Sequence, residues 1–371
     1  MINSIKKFYQ DFQSINKVNL SRHKIVFYSE NKAYQKYAYN LIEYFSKKFP
    51  GKVYYISSDK YDRIKELDII NVHIKSYFLL HYLFLNIKAD NLFLTVTDLD
   101  NSTLKKNKNV KNYIYYFHGA VSTTKVFREK AFDNYDTILC NGNYHIDEIR
   151  QRESIEKLNK KNLIRSGYLY FDFLKSRINN STNNQSEVLI APSWNKNKKN
   201  FINQDFEKII KKLLECNHKV RFRPHPETIK RFPKIKTIYN DLFKTQNFIF
   251  DDNPDNFESM QRAQCLITEN SGISIEFLLI FKKPVFFYTD SEKIHNPKFN
   301  MYQYLNTMED TVKNKFGHQF NYDQISNINN IIKSSAENFD TSDIDNFMNE
   351  NFYNYKNTID YIDKNFSKIC V

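Results

Sequence analysis

Glycine is scarce in this chain, and its scarcity makes the positions that keep it informative. The 371 residues include six glycines, whereas average usage of about 7% would give roughly 26. Gly119, Gly167 and Gly272 each follow a short apolar run that is typical of a strand. Ligands of open α/β sheets bind beyond the carboxyl ends of the strands. Glycine kept at strand ends therefore indicates backbone that must approach something closely, usually a ligand.

Several common signatures are also missing. No glycine-rich phosphate loop and no G-x-G-x-x-G segment is present, which argues against the usual nucleotide fingerprints. No Cys/His cluster has the spacing of metal ligands, so we expect neither a metal nor a cofactor. The cysteines do not form close pairs and are typical of reduced thiols in a cytosolic protein. They are Cys140, Cys216, Cys265 and Cys370.

Long apolar segments are absent as well. The N-terminus lacks the apolar core of a signal peptide. The longest apolar run, 77–87, is shorter than the roughly 18 residues of a spanning helix, and we interpret it as a buried helix rather than one lying on a membrane. We therefore predict a cytoplasmic protein.

What the chain does contain is positive charge. The formal net charge is +13, which favours anionic partners such as nucleotide phosphates, an anionic polymer or an anionic membrane. A lysine-rich coding bias explains the excess equally well. No RNA-binding signature accompanies the charge, so we do not expect a nucleic-acid partner. Peripheral contact with the inner face of the cytoplasmic membrane is a further, weaker expectation.

Apolar residues make up 41% of the chain, enough for a folded core. Strands alternate with helices from Lys24 to Glu153 and again from Val188 to Tyr288, with a polar break at 179–186. Such alternation predicts parallel sheets covered on both faces. We expect an α/β protein with two Rossmann-like domains, 1–178 and 187–345, that face a central cleft. One helix of the second domain is predicted to start at Pro254, because proline suits the first turn of a helix. A closing helix over 352–366 is predicted within the last segment, 346–371.

Two histidine motifs stand at predicted strand ends. His118-Gly119 follows an apolar run and precedes Lys125, and a histidine there can take a proton from an attacking hydroxyl. A structural or capping histidine is the alternative. In the second motif Arg223 and His225 alternate with prolines. The prolines stiffen the turn, and a cation beside an imidazole suits phosphate binding.

Two further motifs follow later strands. Thr268 to Glu276 joins a strand to a helix, where free N–H groups and the positive helix end attract an anion; an ordinary serine cap is the alternative. Ala191 to Lys196 ends another strand and carries Trp194, which is expected to line the cleft. The Asp98-Leu99-Asp100 segment is interpreted as a loop rather than a metal-binding pair.

The order and spacing of these motifs resemble the CDP-glycerol glycerophosphotransferase family, the poly(glycerol phosphate) polymerases and primases of teichoic acid and capsule synthesis. The resemblance runs from about Ser76 to Tyr288. The similar segments are His118 to Lys125, Gly167 to Leu174, Ile190 to Asn195, His225-Pro226, Thr268 to Gly272 and Lys283 to Tyr288.

The resemblance implies a GT-B transferase that moves glycerol phosphate from CDP-glycerol, a cytidine-nucleotide donor, to a hydroxyl of a polysaccharide or lipid-linked acceptor, releasing CMP. The first domain would bind the acceptor and the second the nucleotide donor. His118, as base, and His225 would be the catalytic pair, with Gly119 and Lys125 on the acceptor side. The residues expected to bind the donor are Arg223, Ser193, Lys196, Thr268, Asn270, Ser271, Gly272, Ser274 and Glu276.

Departures from the family pattern keep other functions open. The segment before Lys125 is one residue longer, and Tyr170, Asn195 and Gly272 replace an Arg, an Arg and a Ser of the family. The alternative is a GT-B glycosyltransferase of capsule or lipopolysaccharide synthesis that uses a CMP-sugar, with a Kdo-like or sialic-acid-like sugar, or a UDP-sugar. A third candidate is a basic protein that holds an anionic polymer without chemistry.

Overall fold

The described residues form two parallel β-sheets whose strands alternate with helices along the chain, as the sequence predicts. The computed structural model describes residues 2–19, 22–101, 104–178, 186–290, 294–302 and 306–371. The predicted linker lies outside the described residues except for Ser186. The last helix before it ends at Arg177 and the next strand begins at Glu187.

The first sheet and the helices around it form the N-lobe. Its described strands are β1 (His23–Ser29), β2 (Val53–Ser57), β3 (Ile70–His73), β4 (Ala89–Leu94), β5 (Val110–Tyr116), β6 (Thr137–Leu139) and β7 (Asn162–Ile164). Its helices are α1 (Ile2–Asn19), α2 (Lys32–Lys48), α3 (Tyr77–Asn86), α4 (Asn143–Ile155) and α5 (Leu169–Arg177). The strand order is β3-β2-β1-β4-β5-β6-β7.

The second sheet and its helices form the C-lobe. Its described strands are β8 (Glu187–Ile190), β9 (Lys219–Phe222), β10 (Phe248–Phe250), β11 (Ala263–Thr268), β12 (Val285–Tyr288) and β13 (His318–Phe320), in the order β10-β9-β8-β11-β12-β13. Its helices are α6 (Asp205–Glu215), α7 (Pro226–Arg231), α8 (Ile235–Leu242), α9 (Phe257–Arg262), α10 (Gly272–Phe281), α11 (Met308–Phe316) and α12 (Ile328–Asn338). The chain ends in α13 (Ile344–Asn351), α14 (Thr358–Lys364) and α15 (Phe366–Ile369).

The central strands of the N-lobe sheet, β1, β4 and β5, are largely buried on both faces, as helix-covered parallel strands require. Phe27 of β1 pairs with Phe93 of β4, which pairs with Ile114 of β5, and the two phenylalanine rings stack with centroids 4.7 Å apart. This register sets the carboxyl ends of three central strands at one level. Polar residues that follow them therefore emerge side by side.

Helix α2 shows how local sequence fixes one wall of the later site. The side chain of Asn31 accepts a hydrogen bond from the backbone of Ala33 and caps the helix. Leu41, Ile42 and Phe45 are buried at helical spacing and hold the helix against the sheet. The start of α2 is thereby fixed beside the end of β1.

The apolar core continues from one lobe into the other. Tyr168 and Tyr170 of the N-lobe belong to the same buried cluster as Leu189, Phe257 and Leu278 of the C-lobe. An interface of this kind fixes the two sheets relative to each other. It brings their carboxyl ends to a shared boundary.

Two predicted helices are wrong in detail. Pro254 was predicted to start a helix, but α9 begins at Phe257. The side chains of Asn253 and Asp255 accept hydrogen bonds from backbone N–H groups two residues on, which holds the segment in successive turns.

The predicted closing helix over 352–366 is divided. Asn354 and Lys356 take φ angles of 47° and 72°, and the carboxylate of Asp172 accepts from the backbone of Lys356 and Thr358. The segment from 352 onward then packs on the N-lobe, where Phe352 contacts the Phe171 ring and the Ile369 carbonyl accepts from the Asn112 side chain. It closes the first sheet although it follows the second in sequence.

The N-terminal helix α1 was not predicted. Among the described residues, no helix combines the length and apolar character needed to cross a membrane. The 77–87 run forms α3, which buries Leu79, Leu80, Leu83 and Phe84.

Candidate active site

The carboxyl ends of strands from both lobes open into one cleft of about 730 Å³. We call its two sides the N-lobe wall and the C-lobe wall. The N-lobe wall consists of Glu30, Ala33, Tyr34, Lys36, Tyr37, Thr95, Thr97, Asp98, His118, Gly119, Val121, Val126, Phe127 and Arg128. The C-lobe wall consists of Ala191, Pro192, Trp194, Lys196, Arg223, Pro224, His225, Pro226, Glu227, Lys230, Arg231, Pro254, Asn256, Asn270, Ser271, Gly272, Ile273, Glu276 and His295.

His118 stands on the N-lobe wall just beyond β5. Its Nδ1 lies 2.6 Å from the hydroxyl of Thr95, which follows β4. The rings of Tyr34 and Phe127 meet the imidazole edge-on, with centroids 5.2 and 5.8 Å away. The Thr95 contact and the surrounding aromatic rings hold the imidazole, so its orientation is fixed before any ligand binds.

His225 stands on the C-lobe wall and caps α7. Its Nδ1 accepts a hydrogen bond of 3.1 Å from the backbone N–H of Glu227. A neutral imidazole whose Nδ1 accepts carries its hydrogen on Nε2. Pro224 and Pro226 flank the ring, as the sequence indicates. This histidine is therefore set up as a donor toward a ligand.

Arg223 lies two residues before His225 and is largely buried. Its Nη1 is 3.0 Å from a carboxylate oxygen of Asp251, and its Nη2 donates to the Asn253 carbonyl. Within the described residues Nη1 has no well-directed hydrogen bond. These contacts hold the Arg223 guanidinium in place, and its Nη1 can still donate a hydrogen bond to a ligand. Arg221, on the same face of β9, pairs with Glu187 at 2.6 Å instead.

The two cleft glycines face each other across the lobes. A Cβ built on Gly272 would lie 3.8 Å from the Cα of Gly119, an ordinary contact. Gly272 opens α10, and Ser271 before it makes no side-chain cap, so backbone N–H groups at this end are available to an anion.

Gly167 corrects the expectation that all three strand-end glycines approach a ligand. It has a φ of 88°, and a Cβ there would lie 2.0 Å from the carbonyl oxygen of Tyr353. The close approach is made by the chain's own C-terminal segment.

Four residues expected to contact substrate lie behind the walls, with their polar groups engaged inside the protein. Ser193 donates to the Asn270 carbonyl, Thr268 to the Ala191 carbonyl and Ser274 to the Ser271 carbonyl. The ammonium of Lys125 is 2.6 Å from Asp310 and its side chain is 3% exposed. These residues shape the loops. The remaining predicted site residues, His118, Gly119, Lys196, Arg223, His225, Asn270, Ser271, Gly272 and Glu276, line the cleft.

A polar network that includes Glu276 joins the two lobes. Its N-lobe members, Lys36, Tyr168 and Tyr170, were not predicted as site residues. Lys36 of α2 donates to the Asn256 side chain, which also accepts from the Tyr170 hydroxyl at 2.7 Å. The Tyr168 hydroxyl donates to Glu276 at 2.9 Å. Nothing in the sequence distinguished Lys36, because lysine is abundant throughout the chain.

Burial shifts both charged members of this network toward neutrality. Desolvation, with the nearby Arg223 cation, lowers the pKa of Lys36. Desolvation raises the pKa of Glu276, and the Lys36 cation opposes that shift. The effect of the Arg223 cation on Lys36 shows that these two basic side chains, one from each lobe, lie near each other at the cleft.

Two carboxylates on the N-lobe wall were also missed as site residues. Glu30 follows β1. Asp98 belongs to the segment 98–100, which forms a loop as predicted. Asp98 lies 3.9 Å from Arg128, whose side chain is 61% exposed. Trp194 lines the opposite wall as expected, with the Arg231 guanidinium 5.1 Å from its ring centre.

The family comparison gives one match over nearly the whole chain. Residues 10–358 match the model of the family described as CDP-glycerol:poly(glycerophosphate) glycerophosphotransferase. No curated protein sequence matches the chain closely enough to count as a relative.

Solved structures with a similar fold include TagF, a wall teichoic acid polymerase. A TagF structure from a 15-minute CDPG soak superposes with a TM-score of 0.61 at 16% identity, covering 99% of this chain and 98% of that one. A UDP-GlcNAc 2-epimerase from Methanocaldococcus jannaschii with UDP-GlcNAc and UDP gives 0.57 at 11% identity, covering 94% and 99%. The S. aureus MnaA–UDP structure gives 0.56 at 10% identity, covering 94% and 97%. These likenesses show a GT-B-like fold, as predicted.

Proposed function

We propose, from the premise that this chain belongs to the CDP-glycerol:poly(glycerophosphate) glycerophosphotransferase family, that it transfers glycerol phosphate from CDP-glycerol to an acceptor hydroxyl and releases CMP. The acceptor is a cell-surface polysaccharide or a lipid-linked precursor of one. The observation that carries the proposal is the placement of His118 and His225 on opposite walls of one cleft, each fixed at Nδ1.

In the proposed step His118 is the general base. In the tautomer that this step requires, the Nδ1–H donates to the Thr95 hydroxyl oxygen, and Nε2 takes the proton of the acceptor hydroxyl. The acceptor oxygen forms a bond to the phosphorus that carries glycerol, and the bond from that phosphorus to the bridging oxygen breaks. The electron pair leaves with CMP.

The C-lobe wall stabilises the charge that this displacement moves. The Nε2–H of His225 and the guanidinium of Arg223 donate to the phosphate oxygens, and the N–H groups at the start of α10 meet the same anion. Lys36 adds a second cation from the other lobe. Donors held in place by the protein need little reorganisation during the reaction.

The test is a balanced measurement of donor and acceptor products. CDP-glycerol labelled at the glycerol-bearing phosphorus is incubated with the protein and a lipid-linked or polysaccharide acceptor. The expected result is equal amounts of CMP and acceptor-bound label. CMP release without transfer of the label to any acceptor would show that the protein only hydrolyses CDP-glycerol.

A glycosyltransferase using a CMP-sugar or UDP-sugar is the second candidate. It is favoured by the side chains at the altered positions, because Tyr170 turns its hydroxyl to Asn256 and offers no cation where the family has an arginine. A thermal-shift series separates the candidates, since a bound donor raises the apparent stability. The ligands are CMP, CDP-glycerol, CDP-ribitol, CMP-sugars and UDP-sugars. Stabilisation by a sugar nucleotide but not by CDP-glycerol would select the second candidate.

We further propose that no metal ion takes part. Arg223 and Lys36 supply the positive charge, and His225 the hydrogen-bond donor, that a metal would otherwise replace at the phosphates. Activity after dialysis against EDTA is expected to stay within twofold of the untreated value. A tenfold loss restored by Mg²⁺ would reject this part of the proposal.

The proposed location is the inner face of the cytoplasmic membrane. One side of α3 exposes Tyr77 and Phe78, 68% and 70% accessible, and the exposed lysines Lys75 and Lys88 lie at its two ends. Aromatic rings beside lysines suit an anionic bilayer surface. Flotation with anionic vesicles should show binding that salt weakens and that Phe78→Ser reduces. If as much protein floats with neutral vesicles at high salt as with anionic vesicles, the proposed location is wrong.

A further inference from the structure

The loop that follows His118 is buried although it contains neither helix nor strand. We call residues 119–125 the base loop, and positions 122–125 within it are all buried. Backbone N–H and C=O groups that are shielded from water must find hydrogen-bond partners inside the protein. The residues that supply these partners therefore determine where the base loop lies.

The two ends of the base loop are held from different lobes. At its beginning, three N-lobe side chains at or near the start of α4 donate to consecutive carbonyl groups. The pairs are Asn141 with Gly119, Tyr144 with Ala120 and His145 with Val121, at 3.3, 3.2 and 2.9 Å. Near its end, the Asn296 side chain of the C-lobe donates to the Thr124 carbonyl at 2.9 Å, and the backbone N–H of His295 donates to the Lys125 carbonyl at 3.0 Å.

Two buried glutamates, one from each lobe, hold the middle of the base loop. Glu148 of α4 accepts hydrogen bonds from the Thr123 N–H at 2.6 Å and from the Thr123 hydroxyl at 2.5 Å. Its other carboxylate oxygen accepts from the Ser122 hydroxyl at 2.8 Å. Glu309 of α11, in the C-lobe, accepts from the Ser122 N–H at 2.8 Å. Adjacent residues of the loop are therefore tied to different lobes.

Carboxyl groups are a costly way to hold a loop. Desolvation raises the pKa of both Glu148 and Glu309, and the proximity of Glu309 adds to the shift at Glu148. The Lys125 cation opposes the shift at Glu309, whereas the Asp310 carboxylate adds to it. Burying a polar group costs free energy unless hydrogen bonds compensate, and here the base loop donates them. The two glutamates are therefore placed to hold that loop.

The base loop is also in contact with the proposed phosphate site. Gly119 follows His118 directly, and its Cα lies 3.8 Å from a Cβ built on Gly272, the first residue of α10. A side-chain carbon of Val121 lies 3.9 Å from the same point. Movement of the loop would therefore shift His118 relative to the start of α10. A misplacement of about 1 Å at a reacting centre costs roughly a hundredfold in rate.

We propose that Glu148 and Glu309 are positioning residues, which hold the base loop between the lobes and thereby fix His118 opposite the start of α10. This role rests on the proposed function, since it takes His118 as the base and the start of α10 as the phosphate site. Neither glutamate belongs to the cleft walls, so both act through the loop and not by contact with substrate.

The test uses the full-length protein with three substitutions of each glutamate. Glu309→Ala and Glu148→Ala remove the hydrogen-bond acceptors. Glu309→Asp and Glu148→Asp keep a carboxylate but shorten the side chain by one methylene, and these variants carry the test if an alanine variant does not fold. Glu309→Gln and Glu148→Gln keep an oxygen at the original distance and should restore the position of the loop.

Asp11→Ala is the matched control. Asp11 of α1 is a buried carboxylate that accepts from the backbone N–H groups of Lys75 and Ser76 at 3.0 and 2.7 Å. It lies outside the cleft walls. The loss of its hydrogen bonds should lower the melting temperature and leave turnover by the folded protein unchanged.

The first measurement separates kcat from donor binding, at a temperature well below the lowest melting temperature. Turnover is followed as CMP release from CDP-glycerol with a glycerol phosphate oligomer as acceptor, and CMP affinity is measured by calorimetry. The alanine variants should lose about tenfold or more in kcat, and the aspartate variants about threefold. CMP affinity should stay within about twofold of wild type in every variant, because the donor wall is intact. The glutamine variants should recover the wild-type kcat.

The second measurement needs neither donor nor acceptor. Diethylpyrocarbonate modifies neutral imidazoles, and mass spectrometry gives the rate at His118, with His81 of α3 as the internal reference. The alanine and aspartate variants should raise the His118 rate about threefold, since a released loop opens more often, and the glutamine variants should not. If CDP-glycerol is not a donor, the wild type gives no turnover, yet these rates still report how firmly His118 is held.

Folded alanine or aspartate variants that keep both kcat and the His118 modification rate within twofold of wild type would overturn the proposal. A loss of kcat that the glutamine variants share in full, or that Asp11→Ala shows equally, would also overturn it, because the position of the base loop would then not be the cause.

Discussion

The two walls of the cleft hold their histidines by different means. The N-lobe wall holds His118 with aromatic rings and the Thr95 hydroxyl, whereas the C-lobe wall ties His225 to the backbone of a helix, two residues after the buried Arg223. The first environment orients the imidazole through Nδ1, and in the second Nδ1 accepts from the backbone, so the hydrogen of the neutral ring is on Nε2. One residue type therefore serves two proposed roles because its surroundings differ.

The largest effect is expected from His118. His118→Asn removes the proposed base, so kcat should fall at least a hundredfold, since general-base catalysis contributes on the order of 10²–10⁴, while CDP-glycerol still raises the melting temperature. His81→Asn, in α3 and outside both walls, is the control and should keep full turnover. Unchanged turnover in His118→Asn would remove this residue from the mechanism.

Two substitutions of His225 separate its proposed role as a hydrogen-bond donor from its role as the cap of α7. His225→Asn retains a side chain that caps α7 but lacks the Nε2 donor, so kcat/KM should fall roughly ten- to a hundredfold with an unchanged melting temperature. His225→Ala loses both functions and should also be less stable by about 1 kcal/mol. If the Asn variant keeps normal turnover, the histidine is only a cap.

Lys36 tests whether the N-lobe wall helps to bind the donor. Burial and Arg223 lower the pKa of Lys36, so its charge is lost at a lower pH than that of an ordinary lysine. CDP-glycerol affinity should fall as the pH rises above neutrality, and Lys36→Arg, which stays charged, should flatten the profile. Lys36→Met should weaken donor binding about tenfold. Parallel pH profiles for wild type and Lys36→Arg would exclude this role.

The smallest effect on turnover is expected at Asp310, behind the walls. Its partners Lys125, Thr307 and Lys313 lower the pKa of Asp310 to about 2 although burial opposes this. The pKa of Asp310 is lower in the folded protein than in the unfolded chain. The ionised carboxylate therefore stabilises the fold above about pH 4, and this contribution is lost as the pH falls toward 2.

Asp310→Asn should therefore cost about 2 kcal/mol of unfolding free energy at neutral pH and reduce the loss of stability on acidification. Turnover at neutral pH should stay within threefold of wild type. Urea unfolding at pH 7, 4 and 3 measures the difference. An equal loss of stability in both proteins between pH 7 and pH 3 would contradict the assignment.

The sequence could place most of the strands and the main site motifs, because both depend on local patterns. Apolar runs followed by His118, His225 and Gly272 marked strand ends, and parallel strands bring such ends to one edge. Local patterns could not predict the division of the C-terminal helix, which depends on Asp172 binding the backbone of Lys356 and Thr358. They also could not single out α1.

The sequence by itself determined the chemistry available: two histidines, one of them between prolines, an arginine just before the first proline, and a helix start, each at a strand end. Only the tertiary structure decided which of them face the cleft. Ser193, Thr268, Ser274 and Lys125 bond within the protein, while Lys36, Glu30 and Asp98 line the walls. The physical reason is that a side chain's partners are set by how the lobes pack, and residues more than a hundred positions apart then lie within hydrogen-bonding distance.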